Sequence, residues 1–197
     1  MGEYVDWGRE AFDIEIEALV TAREKLGAPF AAAVRAIKSC KGKVIVTGIG
    51  KSGHIGKKIA ATLASLGTPS FFMHSTEALH GDSGMIEGRD IFIAISYSGA
   101  TAEVSAVAGL AKELGLRIIS MTKSCATPLG KLSDICLEIA VSKEADPLGL
   151  APTASSTLTL ALGDALAVAV SRAKGFKKSD FALRHPQGAL GEKAKQK

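Results

Sequence analysis

The chain has 197 residues, 47% of them hydrophobic and 22% charged, with a formal charge of +4. That length suits one well-buried domain and is short for two, and the acidic residues are interspersed, so no basic block is set aside for nucleic acid. Aromatics are only 5%, too few for the stacking platforms of single-strand binders.

The first residues, MGEYVDWGRE, are charged and lack the apolar core of a signal peptide. Residues 3–25 place Val5, Phe12, Ile16, Leu19 and Val20 near helical spacing and predict a helix. Pro29 and the alanine-rich stretch to Lys38 predict a second. From there short apolar runs alternate with amphipathic segments. Val44–Val46 precedes a helix over 53–66, and Ser70–Met73 precedes a helical turn near Glu77–His80. Ile91–Ile95 precedes a helix over 102–114, and Arg117–Met121 precedes a short helix near Pro128–Leu132. Ile135–Val141 and a long helix over 153–173 complete the series. Continuous apolar strands alternating with helices predict an α/β fold: a doubly wound, five-stranded parallel sheet in flavodoxin-like order.

The long segment TASSTLTLALGDALAVAV carries Asp164 and a Ser/Thr-rich first half, which favours a core helix over a membrane span. Cys40, Cys125 and Cys136 are odd in number and show no CxxC spacing, so reduced thiols and a cytoplasmic protein are expected. No membrane or nucleic-acid partner is expected.

In a doubly wound sheet, ligands bind beyond the carboxyl ends of the strands. After the first strand stands Gly48-Ile49-Gly50-Lys51-Ser52-Gly53, a GxGxxG match. A dinucleotide site also needs an acid near the end of the second strand, where this chain has FFMHST. A P-loop needs glycine at position 45, which is Ile45. There remains a helix N-terminus with a lysine and a serine, suited to one phosphate or a small anion. An ordinary tight turn with an exposed lysine explains the same residues.

After the third strand, Ser96, Ser98 and Thr101 surround Gly99 where a helix begins. Plain N-capping by Ser98 or Thr101 accounts for that loop taken alone. Two such loops at adjacent strand ends, however, let one dianion bridge both. Between them, His74, Glu77, His80 and Asp82 fall within nine residues; a polar loop at the site mouth is preferred over a zinc site, because the spacing is not a zinc signature. Glu144 is expected at the end of the fifth strand, facing the pocket, with Pro147 and Pro152 stiffening the chain beyond it. His185, in FALRHPQGALG, reads as part of an extended turn, and nothing local ties it to the site.

Together and in order, GIGKSGHIGKKIAATLASLGTPSFF, HSTEALHGDSGM, ISYSGATAEV, KEADPLGLAPTASSTLTLALGDALA and FALRHPQGALG resemble the arabinose-5-phosphate isomerases of the sugar-isomerase (SIS) domain family. The resemblance runs from about Lys43 to Gly191. It assigns 43–191 to the isomerase domain, with the helices read over 1–42 before it and a polar tail over 192–197 after it.

It implies interconversion of D-arabinose 5-phosphate and D-ribulose 5-phosphate by a tetramer, feeding synthesis of the lipopolysaccharide sugar Kdo. The family's functional lysine falls on Lys51, its acids on Glu103 and Glu144, and its histidines on His80 and His185. The late histidine comes from a neighbouring subunit. On this reading Gly50, Ser52, Ser96, Ser98 and Thr101 hold the phosphate. Members bind zinc, often as an inhibitor, so no cofactor is expected to be required and His80 is the candidate metal ligand.

Many members continue into a paired cystathionine-β-synthase (CBS) type module, whereas this chain stops at Lys197, as a short or trimmed form would. Gln187 stands where glycine is common. The competing expectations are a related phosphosugar isomerase, such as 6-phospho-3-hexuloisomerase, and a phosphosugar sensor without turnover.

Overall fold

A computed structural model describes residues Gly2–Gln187. The expected tail over 192–197 and the last four residues of the 43–191 segment lie outside that range.

Five strands form one parallel sheet: β1 (Val44–Gly48), β2 (Ser70–His74), β3 (Ile91–Ile95), β4 (Arg117–Thr122) and β5 (Ile135–Glu138), in the order β2-β1-β3-β4-β5. Every residue of β1 and β3 is buried, as central strands covered on both faces require. Alternate side chains serve opposite faces. Val44, Val46, Ile91, Ile93 and Ile95 pack with residues of α2 (Ala28–Ser39), α3 (Gly50–Ser65) and α7 (Ala154–Ala173). Ile45, Phe92 and Ala94 pack instead with residues of α4 (Ser75–Leu79), α5 (Ala102–Glu113) and α6 (Pro128–Leu132). The doubly wound α/β architecture and its strand order agree with the sequence reading.

Among the described residues, α7 is the one helix long and apolar enough to cross a membrane. It lies between the sheet and α1 (Gly2–Glu24), with Leu158, Leu166, Ala167 and Val170 buried in the core and Ala154 against Ile14 and Ala18 of α1. Its Asp164 pairs with Lys58 of α3. The other side of α1 leaves Tyr4, Val5, Trp7, Phe12, Ile16 and Val20 exposed.

Four features correct or add to the sequence reading. Helix α3 begins at Gly50, three residues earlier than its periodicity indicates, so Lys51 and Ser52 belong to its first turn. Strand β5 ends at Glu138, which leaves Glu144 in the following loop rather than at a strand end. A short helix, α8 (Lys178–Arg184), precedes His185 and was not anticipated, while His185 and Pro186 themselves are non-helical. Its start is a capping box in which Asp180 accepts from the Lys177 amide.

The fourth concerns the thiols. Cys125 and Cys136 are joined in a disulfide, and Cys40 alone is free. The eleven-residue separation carries no CxxC signal. The crossover from β4 through α6 to β5 nevertheless returns the chain to within 5.7 Å, Cα to Cα, which is bonding range.

Candidate functional site

The strand order reverses between β1 and β3, and a crevice opens there at their carboxyl ends. Two helices start at its edges. Ile49 is the N-cap residue of α3 and Thr101 that of α5, and neither helix has a side chain bonded to its first turn. Both ends therefore keep their first-turn N–H groups and partial positive charge for an outside acceptor. Gly50 opens α3 at a φ of +58°, in open space.

The crevice holds a cavity of about 230 Å³ lined by Lys51, Ser52, Ser96, Tyr97, Ser98, Thr101 and Pro152, with Ile49, Ile95 and Val104 at its apolar floor. The structure thus brings together five of the residues singled out from the sequence. Tyr97 and Pro152 went unassigned there; the proline stiffening after Glu144 was the available signal.

The β3–α5 turn is internally bonded. Ser96 and Thr101 hydroxyls share a 2.8 Å hydrogen bond, the Gly99 amide donates to Ser96 Oγ at 3.1 Å, and the Ala100 amide donates to Ser98 Oγ at 3.2 Å. Thr101 thus spends its hydroxyl on Ser96 rather than on capping. The segment after β4 supports this turn from beneath. The Lys123 amide donates to Tyr97 O at 2.9 Å, the Leu129 amide to Gly99 O at 3.0 Å, and Thr122 Oγ1 to Tyr97 O at 3.3 Å. On the other side of β1, Thr47 Oγ1 donates to Met73 O at 2.7 Å and shares a 2.8 Å bond with Ser75 Oγ, fixing the start of α4 to the same rim.

Glu144 is tied to the start of α7. Its Oε2 accepts from the Thr153 amide at 2.9 Å, Thr153 Oγ1 at 3.1 Å and the Ser155 amide at 3.1 Å. The carboxylate thereby holds the residue next to Pro152 and, through it, one wall of the cavity. Partial burial resists ionisation, but the hydrogen bonds from Ser155 and Thr153 outweigh it and hold the carboxyl below its ordinary value of 4.5.

The sign follows from that direction. The unfolded chain binds this proton more tightly, so the stabilisation is complete above about pH 4.5 and is lost as the pH falls through the lower folded value. Glu144→Gln is therefore expected to cost about 1 kcal/mol at pH 7. Urea denaturation should show that difference closing below pH 4.5.

The remaining candidates lie elsewhere. Glu103 is exposed in the first turn of α5, outside the cavity lining, where an acid suits the helix dipole. His80 is exposed at the end of α4, on the same rim but also outside the lining. His74 Nδ1 accepts from the Thr76 amide as the α4 cap. Among the described residues no three His, Cys, Asp or Glu side chains converge on a metal-sized point; the residues near His80 supply no ready zinc cage.

His185 sits at the other end of the domain. Its Nε2 is 2.9 Å from Ser65 Oγ, its Nδ1 is 3.0 Å from Phe181 O, and its ring stacks on Phe181. Ser65 ends the helix whose first turn holds Ser52, a span of about 20 Å at 1.5 Å per residue. This chain's own histidine therefore does not reach its own cavity.

Two open helix ends meeting a hydroxyl-lined turn at the switch point of a doubly wound sheet define an α/β binding domain with an anion-selective rim. The chain belongs to the SIS domain family, whose model matches residues 37–169. It is 51% identical over 184 residues to arabinose 5-phosphate isomerase GutQ of Salmonella typhimurium, covering 93% of this chain and 57% of that one. It is 48% identical over 191 residues to arabinose 5-phosphate isomerase KdsD of Pseudomonas aeruginosa, covering 97% and 59% respectively. The chain thus spans less than two thirds of the length of these curated relatives. A solved structure of E. coli CFT073 c3406 in complex with arabinose 5-phosphate superposes with a TM-score of 0.91 at 44% identity, covering 94% of this chain and 98% of that one.

Proposed function

We propose that this chain is an aldose–ketose isomerase that interconverts D-arabinose 5-phosphate and D-ribulose 5-phosphate through an enediolate. The observation that carries the reading is the single cavity at which Lys51, Ser52, Ser96, Ser98 and Thr101 meet the starts of α3 and α5. The close likeness to two arabinose 5-phosphate isomerases and to a chain solved with arabinose 5-phosphate supports the same substrate. The likeness to KdsD supports a place in the supply of Kdo for lipopolysaccharide; a cytoplasmic location is part of the same proposal.

The chemistry follows from the parts. The phosphate dianion takes the N–H groups and hydroxyls of the rim, and this remote grip orients the sugar. The proton on C2 is then moved to C1 by a carboxylate, and the oxygen that gains charge is met by the Lys51 ammonium. Two carboxylates compete for the role of base. Glu103 is free on an open helix turn, and Glu144 is held at Oε2 in one orientation. The proton transfers require no cofactor; His80 orients sugar hydroxyls, and zinc reaching it acts as an inhibitor.

His185 completes the site of another copy, opening the sugar ring or shuttling hydroxyl protons. Its distance from its own cavity supports an assembly of several copies, taken here as a tetramer. So does the apolar stripe on α1, with Trp7 56% and Phe12 71% exposed.

The test is turnover of arabinose 5-phosphate against hexulose 6-phosphate, with Glu103→Gln and Glu144→Gln to locate the base. A ligand-induced rise in melting temperature without turnover would give the sensor reading instead. The shared site has its own check. Lys51→Ala and His185→Ala are each expected to be nearly inactive, and a refolded equal mixture is expected to recover about a quarter of parental activity, since some sites then combine intact residues from two copies. No recovery would place His185 outside the site.

A further inference from the structure

The Cys125–Cys136 disulfide joins the segment that supports the phosphate-binding turn to the edge strand β5 and has no part in the chemistry above. Resting on the reading that the Ser96–Thr101 turn takes the phosphate, we propose that this disulfide is a redox-responsive positioning bond for that turn, tightening sugar-phosphate binding when oxidised and loosening it when reduced.

The support under the turn is the segment from Thr122 to Leu129. It donates to the turn's backbone from the Lys123 and Leu129 amides and from the Thr122 hydroxyl. Gly99 presses so close to Thr127 that a Cβ would stand 2.3 Å from Thr127 Oγ1. The position of segment 122–129 is therefore transmitted directly to Tyr97 and Gly99, on either side of Ser98.

The segment's own anchorage is narrow at its middle. Lys123, Cys125 and Ala126 are exposed, and the Thr127 hydroxyl donates to Ser124 O, lies within hydrogen-bond distance of Thr122 Oγ1 and accepts from the Gly130 amide, all within or next to the same segment. Two links reach out to the edge strand β5 from Cys125: the disulfide to Cys136, and the 2.9 Å bond from its amide to Glu138 Oε1. Cutting the covalent link leaves the middle of the support to that exposed hydrogen bond and to the packing of the Cys125 backbone on Gly130, where a Cβ would stand 2.6 Å from Cys125 O.

The bond is also within reach of a reductant. Both cysteines line an open cavity of about 330 Å³ bounded by Lys25, Leu26, Phe30 and Glu138. Cys40 is at the opposite end of the strands, its thiol directed at Lys43 O and Arg89 O, and takes no part.

The reaction is thiol–disulfide exchange with a low-molecular-weight dithiol. Its thiolate attacks one cysteine sulfur and forms a mixed disulfide, and the other cysteine leaves as thiolate. The second reductant thiol, as its thiolate, then closes on the first and releases the remaining cysteine. The protein disulfide gains two electrons and two protons, and the dithiol becomes its cyclic disulfide.

The test compares the whole chain, oxidised and then reduced with dithiothreitol, with free thiols counted by alkylation and mass. The expected result is a rise in KM for arabinose 5-phosphate of about three- to tenfold on reduction, with kcat within about twofold, because the grip on the phosphate is weakened equally in the ground and transition states. Reoxidation should restore it. The double variant Cys125→Ser/Cys136→Ser should sit at the reduced value and ignore the reductant, and Cys40→Ser should respond like the parent.

An unchanged KM with two newly freed thiols overturns the proposal. So does an oxidised protein in which all three thiols are already free. A melting transition that falls below the assay temperature on reduction also overturns it, since the bond would then hold the fold rather than the turn. If neither state turns over substrate, the isomerase reading fails instead, and the affinity for inorganic phosphate in the two states, by calorimetry, decides the redox claim alone.

Discussion

Lys51→Ala is expected to lower kcat/KM for arabinose 5-phosphate by about a hundred- to a thousandfold, the usual effect of removing one preorganised charge from a developing oxyanion. It is also expected to leave stability unchanged or slightly raised, and that combination makes the result diagnostic. Lys51 lies exposed in the first turn of α3 and forms no salt bridge among the described residues. A cation there opposes the helix dipole at a cost of about 0.3–1 kcal/mol, and alanine is the better helix former. A lysine that costs its helix something is explained by the cavity it faces and shares with Ser52 and Ser96.

Lys51→Arg keeps the charge but replaces a compact ammonium with a larger planar fork, and it should recover only part of the loss. Steady-state kinetics beside urea denaturation separate the two effects. Parental turnover in Lys51→Ala would remove this residue from the mechanism.

The parts of this molecule that were legible in its sequence are those governed by local pattern. Val44–Val46 and Ile91–Ile95 read as strands because burial on both faces leaves no polar position to interrupt them. The two turns that meet in the crevice are legible as a pair: each alone is explained by an ordinary turn or cap, but at adjacent strand ends their glycines and hydroxyls let one dianion bridge both. The residues misplaced are those whose position is set by the path of the chain between elements. Glu144 was expected at a strand end, but its segment leaves the sheet after Glu138 and bends back to the start of α7. His185 carries no local signal because its surroundings come from the far end of α3 and from the stacked ring of Phe181. Cys125 and Cys136 were read as separate thiols because their approach is made by a whole crossover. The supporting segment from Thr122 to Leu129 was missed for the same reason: its value to the phosphate turn lies in β4 running beside β3.

That support sets the outcome of the second large prediction. Gly99→Ala is expected to raise KM for arabinose 5-phosphate at least about a hundredfold and to destabilise the fold by about 2–4 kcal/mol, the sum of a left-handed backbone penalty near 1 and an overpacking cost of 1–3. Gly99 has a φ of +65°, and an added methyl would stand 2.3 Å from Thr127 Oγ1, 2.4 Å from Thr127 Cβ and 2.6 Å from Thr122 Oγ1. None of these atoms is the loose end of a long side chain. Both threonines are held in place, since Thr127 caps α6 and Thr122 closes β4. The turn must therefore move, and the Gly99 amide, which donates to Ser96 Oγ, moves with it.

Gly50→Ala supplies the comparison. Gly50 also has a positive φ, +58°, but nothing lies within 4 Å of an added Cβ. Its cost should be the backbone penalty alone, about 1 kcal/mol, with a much smaller rise in KM. Phosphate titration and urea denaturation of the two variants side by side separate backbone strain from steric displacement. Equal effects at both positions would show that the close packing of Gly99 on Thr127 does not shape the phosphate turn.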